Sequence, residues 1–140
     1  MGIGSDLWNQ LDVLLGKQDF AGAASLFTAD AVRVDPVGRT EGREAIRAKM
    51  GQEYSAFSDI TFTTSLLIEQ GDTVVAEWTS RSTHTGPFAM PEGSELAPTG
   101  KAVEHAGVTI VKVRDGKIAS MRDYFDLMTV MSQLGLLPSA

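Results

Sequence analysis

The stretch that decides the fold is Gly116-Lys117-Ile118-Ala119-Ser120-Met121-Arg122-Asp123-Tyr124-Phe125-Asp126, near the end of the chain. Side chains alternate between the two faces of a β-strand, so Asp123 shares one face with the apolar Met121 and Phe125. A carboxylate on an apolar face is costly unless hydrogen bonds satisfy it, and burial raises the pKa of such a group. Asp123 is therefore either a satisfied structural acid or a general acid or base.

The alternating pattern continues upstream of this stretch. It predicts four strands, Ile60–Glu69, Thr73–His84, Val103–Val113 and Lys117–Phe125. The turns Gln70-Gly71-Asp72 and Asp115-Gly116 join them into antiparallel pairs. Between the pairs, Gly86–Gly100 is rich in proline and glycine and is expected to be a long loop that covers a pocket.

The first part of the chain follows a helical period instead. It predicts three helices that end near Gly16, Phe27 and Phe57. Ser5 or Asp6 is expected to cap the first helix and Asp19 the second, while the third begins at Gly42. Its buried stripe is predicted to be Ala45, Ile46, Met50 and Tyr54. A short strand, Ala31–Asp35, is stopped by the proline that follows it.

Helices followed by long antiparallel strands indicate an α+β fold, with a curved, mostly antiparallel sheet wrapped around three N-terminal helices. The 140 residues, 43% of them hydrophobic, suit a single domain over residues 1–140. One open end of such a cone is a natural pocket. The fold class therefore directs attention to side chains that point into the cone.

Composition narrows the possible functions. The chain has no cysteine, and its two histidines show no metal-ligand spacing, so we expect neither a disulfide nor a metal site. A net charge of -6 argues against nucleic acid or an anionic membrane as a partner. Without a signal peptide or a membrane span in the sequence, a soluble cytoplasmic protein is expected.

Both histidines are predicted to share a face with pocket residues. His84 follows Trp78 and Ser80 on one strand, and His105 interrupts an apolar face on the next. A histidine near Asp123 would form the pair usually used to move protons near neutral pH. Either histidine could instead be a satisfied structural group, and Trp78 could be pocket wall or core.

Two further aspartates have simple structural explanations. Asp35 precedes Pro36 and could serve only as a turn acid. Asp126 could simply cap a last helix. The sequence pattern leaves these alternatives open beside a catalytic role for Asp35.

Two segments carry a family resemblance that covers nearly the whole chain. Residues 26–38, Leu26-Phe27-Thr28-Ala29-Asp30-Ala31-Val32-Arg33-Val34-Asp35-Pro36-Val37-Gly38, and the ending from Asp115 to Asp126 resemble the nuclear-transport-factor-2-like superfamily. The resemblance implies a cone-shaped α+β barrel with a deep pocket. Members commonly form dimers through the outer face of the sheet, so a homodimer is expected.

Three enzyme branches of this superfamily are similar enough to compare. Val34-Asp35-Pro36-Val37-Gly38 resembles ketosteroid isomerase, in which the matching aspartate is the base, and the two oxyanion donors fall at Leu11 and Thr109. The ending resembles limonene-epoxide hydrolase, in which the aspartate matching Asp123 activates water. That family's arginine and second aspartate match Trp78 and Ser80, and its water-holding tyrosine and asparagine match Arg33 and Asp35.

The last segment, Asp126-Leu127 through Gln133-Leu134-Gly135-Leu136-Leu137-Pro138, is similar to the SnoaL-like polyketide cyclases. Those enzymes use a histidine and an aspartate to close a ring by proton abstraction beside a carbonyl, roles that His105 and Asp123 would fill. Scytalone-dehydratase-like members pair an aspartate with two histidines, which Asp35, His84 and His105 would imitate.

The resemblance, with the residues above, predicts a cofactor-independent acid/base enzyme of cyclase, isomerase or dehydratase type. Its substrate would be a small, apolar, polyketide-, terpenoid- or steroid-like compound. The expected catalytic residues are Asp123, His105 and Asp35. The expected substrate-binding residues are Trp78, Ser80, His84, Arg33, Thr109, Met121, Leu11 and Phe88. The alternatives are an epoxide hydrolase with a modified triad and a small-ligand-binding module without chemistry.

Overall fold

The computed structural model describes residues 2–90 and 92–137, and in it a curved sheet packs against helices on its inner face. The helices are α1 (Ile3–Gly16), α2 (Phe20–Ser25), α3 (Arg43–Ala56) and α4 (Leu127–Gln133). The main strands are β1 (Phe27–Asp35), β2 (Gly38–Glu41), β3 (Thr61–Gln70), β4 (Thr73–Thr83), β7 (Ala102–Arg114) and β8 (Lys117–Phe125). The predicted α+β class is confirmed.

The six main strands form one sheet in the order β2-β1-β8-β7-β4-β3. Only β1 and β8 run parallel, so the sheet is mostly antiparallel as expected. Asp123 on β8 pairs with Thr109 on β7, and Ser80 on β4 pairs with His105 on β7. This register places Asp123 and His105 at different levels of the sheet.

The start of α1 differs from the prediction. Neither Ser5 nor Asp6 caps the helix, because it already begins at Ile3. Glu69 of β3 supplies the cap from a distance: it accepts hydrogen bonds from the backbone N–H of Gly4 at 3.3 Å and of Ser5 at 2.9 Å. Its carboxylate thereby satisfies N–H groups that the first helical turn leaves without a partner.

The predicted second helix was too long at its C-terminal end. Asp19 does cap α2, accepting from the backbone N–H of Gly22 at 2.9 Å. The helix ends at Ser25, however, and Phe27 begins β1, where it pairs with Ile118 of β8. Phe27 is fully buried. A helical pattern and a strand pattern would both place this residue inward, so its pairing with β8 decides that it belongs to the strand.

The third helix lies where the sequence predicts it, over Arg43–Ala56. Ile46, Met50 and Tyr54 are buried as expected, but Ala45 is exposed. The short strand β2 was not anticipated, and it pairs with β1 across the turn that follows Asp35. The strand thus ends at Asp35 as predicted, and the same residue begins the turn of a hairpin between β1 and β2.

The predicted loop Gly86–Gly100 contains a small hairpin, β5 (Phe88–Ala89) paired with β6 (Glu95–Leu96). Pro91 in this loop and Pro138 near the end of the chain lie outside the described residues. The loop is anchored at its start, where the backbone N–H groups of Thr85 and Gly86 donate to Ala56 O. The start of the loop is therefore fixed to the C-terminal end of α3, a helix that also lines the candidate site.

Two clusters of buried apolar side chains hold the elements together. The larger joins α1, α2 and α3 to the sheet and includes Leu7, Phe27, Ile46 and Ile118. The smaller lies under α4 and includes Phe57, Val103 and Val130. Within the described residues, no helix has the length and apolar character needed to cross a bilayer.

Candidate active site

A cavity of about 170 Å³ lies between the inner face of the sheet and helices α1, α3 and α4. One part of its wall, here called the carboxylate end, is formed by Asp35, Glu53, Thr109 and Asp123. Another part, here called the aromatic end, is formed by Phe57, Phe88, His105 and Phe125. Apolar walls with a few convergent polar groups are typical of small-molecule sites.

Asp123 is buried at the carboxylate end and accepts hydrogen bonds on both of its oxygens. Thr109 Oγ1 donates to Oδ1 at 2.6 Å, and Arg33 Nε donates to Oδ2 at 3.2 Å. The side chain is 9% exposed and lines the cavity. The two donors fix the orientation of the side chain, and each oxygen keeps a lone pair for a further partner.

Arg33 lies at the centre of three carboxylates. Its Nη1 and Nη2 atoms donate to Glu53 at 2.6 and 3.0 Å, and Nη2 lies 3.8 Å from Asp35 Oδ2. Burial works against the cation, but the charges of Glu53 and Asp123 outweigh it and raise the pKa of Arg33 above its ordinary value. Arg33 is therefore a fixed cation that binds the protein's own carboxylates.

This arrangement corrects the expectation that Arg33 binds substrate. The side chain is not among those that line the cavity, and its donors are directed at Asp123 and Glu53. An arginine with bidentate and charge-assisted bonds has little capacity left for a ligand. Its effect on a ligand passes through the carboxylates that it holds.

Asp35 is both a turn residue and a cavity residue. Its Oδ1 accepts from the backbone N–H of Val37 at 2.8 Å and of Gly38 at 3.0 Å, which closes the turn between β1 and β2. The side chain is only 6% exposed and lines the cavity. Oδ1 therefore holds the turn, while Oδ2 lies 3.8 Å from Arg33 Nη2.

Trp78 and Thr109 are buried next to Asp123. Trp78 Nε1 donates to Thr109 Oγ1 at 2.8 Å, and the same hydroxyl donates to Asp123. The resemblance to ketosteroid isomerase put an oxyanion donor at Thr109, but this hydroxyl proton is directed at Asp123. Thr109 therefore contributes to the site by holding the carboxylate.

His105 lines the aromatic end of the cavity. Its ring lies 5.0 Å from Phe125 and 5.5 Å from Trp78, measured between ring centroids. Among the described residues, its buried Nδ1 has no hydrogen-bond partner. Burial lowers the pKa of His105, so the neutral ring is favoured near neutral pH.

The direct pairing of His105 with Asp123 is not found. Asp123 is opposite Thr109, and His105 lies four residues further along β7, about 13 Å at the usual rise of a strand. Both side chains line the same cavity, so they would act on different parts of one ligand. The alternating pattern of the sequence predicted that both side chains lie on the inner face, but it could not predict the distance between them.

His84 is fully buried and does not line the cavity, contrary to the expectation that it binds substrate. Its Nδ1 lies 3.1 Å from Thr99 Oγ1 and accepts from the backbone N–H of Thr99 at 3.1 Å. The backbone of His84 also pairs with Lys101 and Gly100. His84 therefore connects the two ends of the loop over residues 86–100.

The remaining expected substrate-binding residues line the cavity. They are Leu11 from α1, Trp78 and Ser80 from β4, Phe88 from the loop, Thr109 from β7 and Met121 from β8. The alternating period of the strands was sufficient to place the sheet residues on the inner face. Asp126, by contrast, caps α4 by accepting from the backbone N–H of Met128 at 2.9 Å.

Three charged cavity residues were missed from the sequence: Asp12 on α1, and Lys49 and Glu53 on α3. Glu53 follows Ile46 by seven residues and Met50 by three, so it lies on the buried stripe of its helix. Asp12 lies one residue after Leu11, and burial raises its pKa. A charged residue within an apolar helical stripe is the signal that could have identified them.

Comparison with known proteins identifies the family of the chain. The family model described as SnoaL-like polyketide cyclase matches residues 5–134. No curated protein matches the chain. IdmH from Streptomyces antibioticus, described as a candidate polyketide cyclase, is 27% identical, with a TM-score of 0.76 and coverage of 94% of this chain and 97% of IdmH.

Two more distant structures share the fold. A SnoaL-like protein from Jannaschia sp. CCS1, described as a candidate polyketide cyclase, has a TM-score of 0.85 at 22% identity and covers 97% of this chain and 94% of its own. A protein of ketosteroid isomerase-like fold from Catenulispora acidiphila DSM 44928 has a TM-score of 0.78 at 21% identity, with 94% and 93% covered. The chain has the nuclear-transport-factor-2-like fold and belongs to the SnoaL-like polyketide cyclase family.

Proposed function

We propose that the protein is a cofactor-independent acid/base enzyme of cyclase, isomerase or dehydratase type, acting on a small apolar carbonyl compound of polyketide, terpenoid or steroid type. The observation that carries the proposal is the environment of Asp123. It is a buried carboxylate in the wall of a largely apolar cavity, with Thr109 and Arg33 each bound to one oxygen. Family membership supports the same class of reaction.

In the proposed reaction, Asp123 removes a proton from the carbon next to a carbonyl. The C–H bond breaks, the proton moves to a carboxylate oxygen, and the electron pair forms an enolate. Arg33 and Thr109 keep the carboxylate in place during this step. A base held in a fixed position within an apolar site typically contributes a factor of about 10² to 10⁴ in rate.

Asp35 supplies the second acid/base group. Its Oδ2 and an oxygen of Asp123 both lie within 4 Å of the Arg33 guanidinium, at 3.8 and 3.2 Å. Both acids thus face the same cation, which places a second proton acceptor near the base. Asp123 would return the proton to another atom of the substrate, or pass it to Asp35 Oδ2 for delivery there, which completes an isomerisation or a ring closure. In a dehydration the same proton would go to the departing hydroxyl group, which leaves as water.

His105 would act at the other end of the same ligand. Its neutral ring, surrounded by aromatic side chains, can donate or accept one hydrogen bond to a polar atom of the substrate. Its place in the cavity wall supports this role. The ligand would thus be apolar in its body and polar at two separated points.

The test is proton exchange at carbon. Small apolar ketones and diketones are incubated with the protein in D₂O, and deuterium incorporation is followed by mass spectrometry. We expect exchange with the wild type and a loss of at least about 100-fold in Asp123→Asn. The control is Asp72→Asn, which removes an exposed surface carboxylate outside the cavity. Equal exchange in Asp123→Asn and the wild type would refute the proposal.

A second candidate is an epoxide hydrolase, which the bridge from Asp123 through Arg33 to Glu53 and Asp35 favours. The resemblance to limonene-epoxide hydrolase puts that family's arginine and second aspartate at Trp78 and Ser80, whereas here Arg33 of β1 provides an arginine between acids from a different strand. Asp123 would take a proton from water while a second acid protonates the epoxide oxygen. The test is a panel of apolar epoxides in ¹⁸O-labelled water, in which labelled diol must form with the wild type and not with Asp123→Asn.

A homodimer is also proposed, with a second copy on the outer face of the sheet. Leu66 and Ile68 are 48% and 51% exposed, and they pair with Glu77 and Val75 on the outer side of β4. Exposed apolar residues on a sheet suit an interface better than solvent. Light scattering should give twice the 15.0 kDa mass of the chain, and Leu66→Glu should reduce it to the single-chain value.

A further inference from the structure

A directional chain of hydrogen bonds runs from Trp78 to Asp123. Trp78 Nε1 lies 2.8 Å from Thr109 Oγ1, and Thr109 Oγ1 lies 2.6 Å from Asp123 Oδ1. Trp78 is 4% exposed and Thr109 is 1% exposed, so water does not compete for these groups. The chain crosses from β4 to β7 to β8, three neighbouring strands of the sheet.

The direction of the chain follows from the chemistry of its first member. An indole nitrogen can only donate, so the Thr109 oxygen must act as acceptor toward Trp78. The single hydroxyl proton of Thr109 is then free to donate to Asp123, which is the hydrogen bond observed. A hydroxyl that accepts one bond also donates a stronger one, because the bonds polarise one another.

We propose that Trp78 and Thr109 are positioning residues that hold the side chain of Asp123 in the orientation of the general base. The inference rests on the proposed role of Asp123. It assigns Thr109 a function different from the oxyanion donor expected at its position. It also explains why Trp78, an aromatic residue of the cavity wall, has its only polar atom directed at Thr109.

Other charged groups share the cavity with Asp123 or bind its partner Arg33, and their charges must be kept constant in a test; Asp12 of α1 and Lys49 of α3 are two of them. Arg33 of β1 donates to the second oxygen, Glu53 of α3 binds the same guanidinium, and Asp35 of β1 lies beside it. His105 is further along β7. Substitutions at Thr109 and Trp78 change none of these charges, so their effect on Asp123 isolates the hydrogen-bond chain.

The experiment follows the side-chain carboxyl resonance of Asp123 by NMR in protein labelled with ¹³C at aspartate, assigned with Asp123→Asn. Thr109→Val keeps the shape of the side chain and removes the hydroxyl. We expect the pH midpoint of this resonance to rise by about one to two units, because a charge-assisted hydrogen bond to the carboxylate is lost. Thr109→Ser, which restores a hydroxyl, should return the midpoint close to that of the wild type.

Trp78→Phe tests the first link of the chain. It leaves the Thr109 hydroxyl in place but removes the donor that orients it, so the midpoint should rise by less than in Thr109→Val. An unchanged midpoint in Trp78→Phe would refute the role of Trp78. An unchanged midpoint in Thr109→Val, or an equal rise in Thr109→Ser, would refute the role of the hydroxyl.

The measurement needs no substrate, so it separates this inference from the proposed function. If the wild type exchanges no carbon-bound proton while the midpoints shift as expected, the proposed reaction fails and the positioning chain stands. If exchange occurs and depends on Asp123 while the midpoints do not move, the reaction stands and the positioning chain fails. Thermal unfolding of each variant shows whether it is folded, and Thr109→Ala, which also removes the hydroxyl, replaces Thr109→Val if that variant is unstable.

Discussion

The carboxylate end and the aromatic end of the cavity satisfy their polar groups in opposite ways. At the carboxylate end, Asp123 receives a donor on each oxygen and Arg33 contacts three acids. At the aromatic end, His105 is surrounded by Trp78 and Phe125, and its Nδ1 has no partner among the described residues. The difference indicates that ion pairs and hydrogen bonds within the protein organise the first end, whereas apolar packing around one imidazole organises the second.

The two ends also differ in the free-energy cost of their buried polar groups. Charges at the carboxylate end are stabilised only as a group, because removing one partner leaves the others buried and uncompensated. The lone nitrogen of His105 has a cost that an apolar side chain of similar shape would not have. Substitutions at the two ends should therefore change stability in opposite directions.

The largest effect on stability is expected for Arg33→Met. This change removes the cation from between Asp35, Glu53 and Asp123, and the free energy of unfolding should fall by about 3 to 5 kcal/mol. Urea denaturation at pH 7 measures the loss.

Arg39→Met is the matched control for that prediction. Arg39 pairs with Glu41 at 2.8 Å, but the two side chains are 59% and 67% exposed. An ion pair in water contributes little, so the variant should lose less than about 1 kcal/mol. Similar losses in both variants would contradict the account of the carboxylate end as a coupled group.

An intermediate effect of the opposite sign is expected for His105→Phe. The phenyl ring fills a similar space between Trp78 and Phe125 and removes the nitrogen without a partner. We expect stability to stay the same or to rise by up to about 1 kcal/mol, while exchange or ligand binding falls. A clear loss of stability would show that the ring nitrogens of His105 are satisfied within the protein.

The smallest effect expected is a pH dependence from the two histidines. Burial lowers the pKa of both His84 and His105, so the unfolded chain binds protons at a higher pH than the folded chain does. The neutral rings contribute their full stability above the pKa of histidine in the unfolded chain, about 6.5. This contribution is lost as the pH falls below that value toward the lower pKa values of the folded protein. The urea midpoint should therefore decrease between pH 7 and pH 5, and less so in His84→Gln, which keeps a hydrogen-bond acceptor near Thr99.

The sequence predicted most of the fold because alternation and capping are local signals. The strand Lys117–Phe125 was placed with the observed bounds, and the position of Asp123 beside Met121 and Phe125 followed from its period. Asp19 and Asp126 cap their helices as the sequence indicated. Phe27 was misassigned because it ends one periodic segment and begins the next.

The candidate site was harder to predict because it depends on register between strands that are distant in the sequence. No local sequence pattern predicts that Asp123 lies opposite Thr109 rather than opposite His105. The role of Arg33 depends on Glu53, which reaches it from a helix 20 residues away in sequence. The alternation of side chains along a strand assigns each residue to one face of the sheet. Its contact partners on that face depend on strand register and on helix packing.

The most direct test of the central claim is a kinetic comparison of the two ends on one carbonyl compound that exchanges its proton in D₂O. The account predicts that Asp123→Asn lowers kcat at least about 100-fold with little change in KM, and that Phe125→Leu raises KM while kcat is largely retained. The opposite pattern, with kcat retained in Asp123→Asn or lost in Phe125→Leu, would contradict the division of the cavity into a reacting end and a binding end.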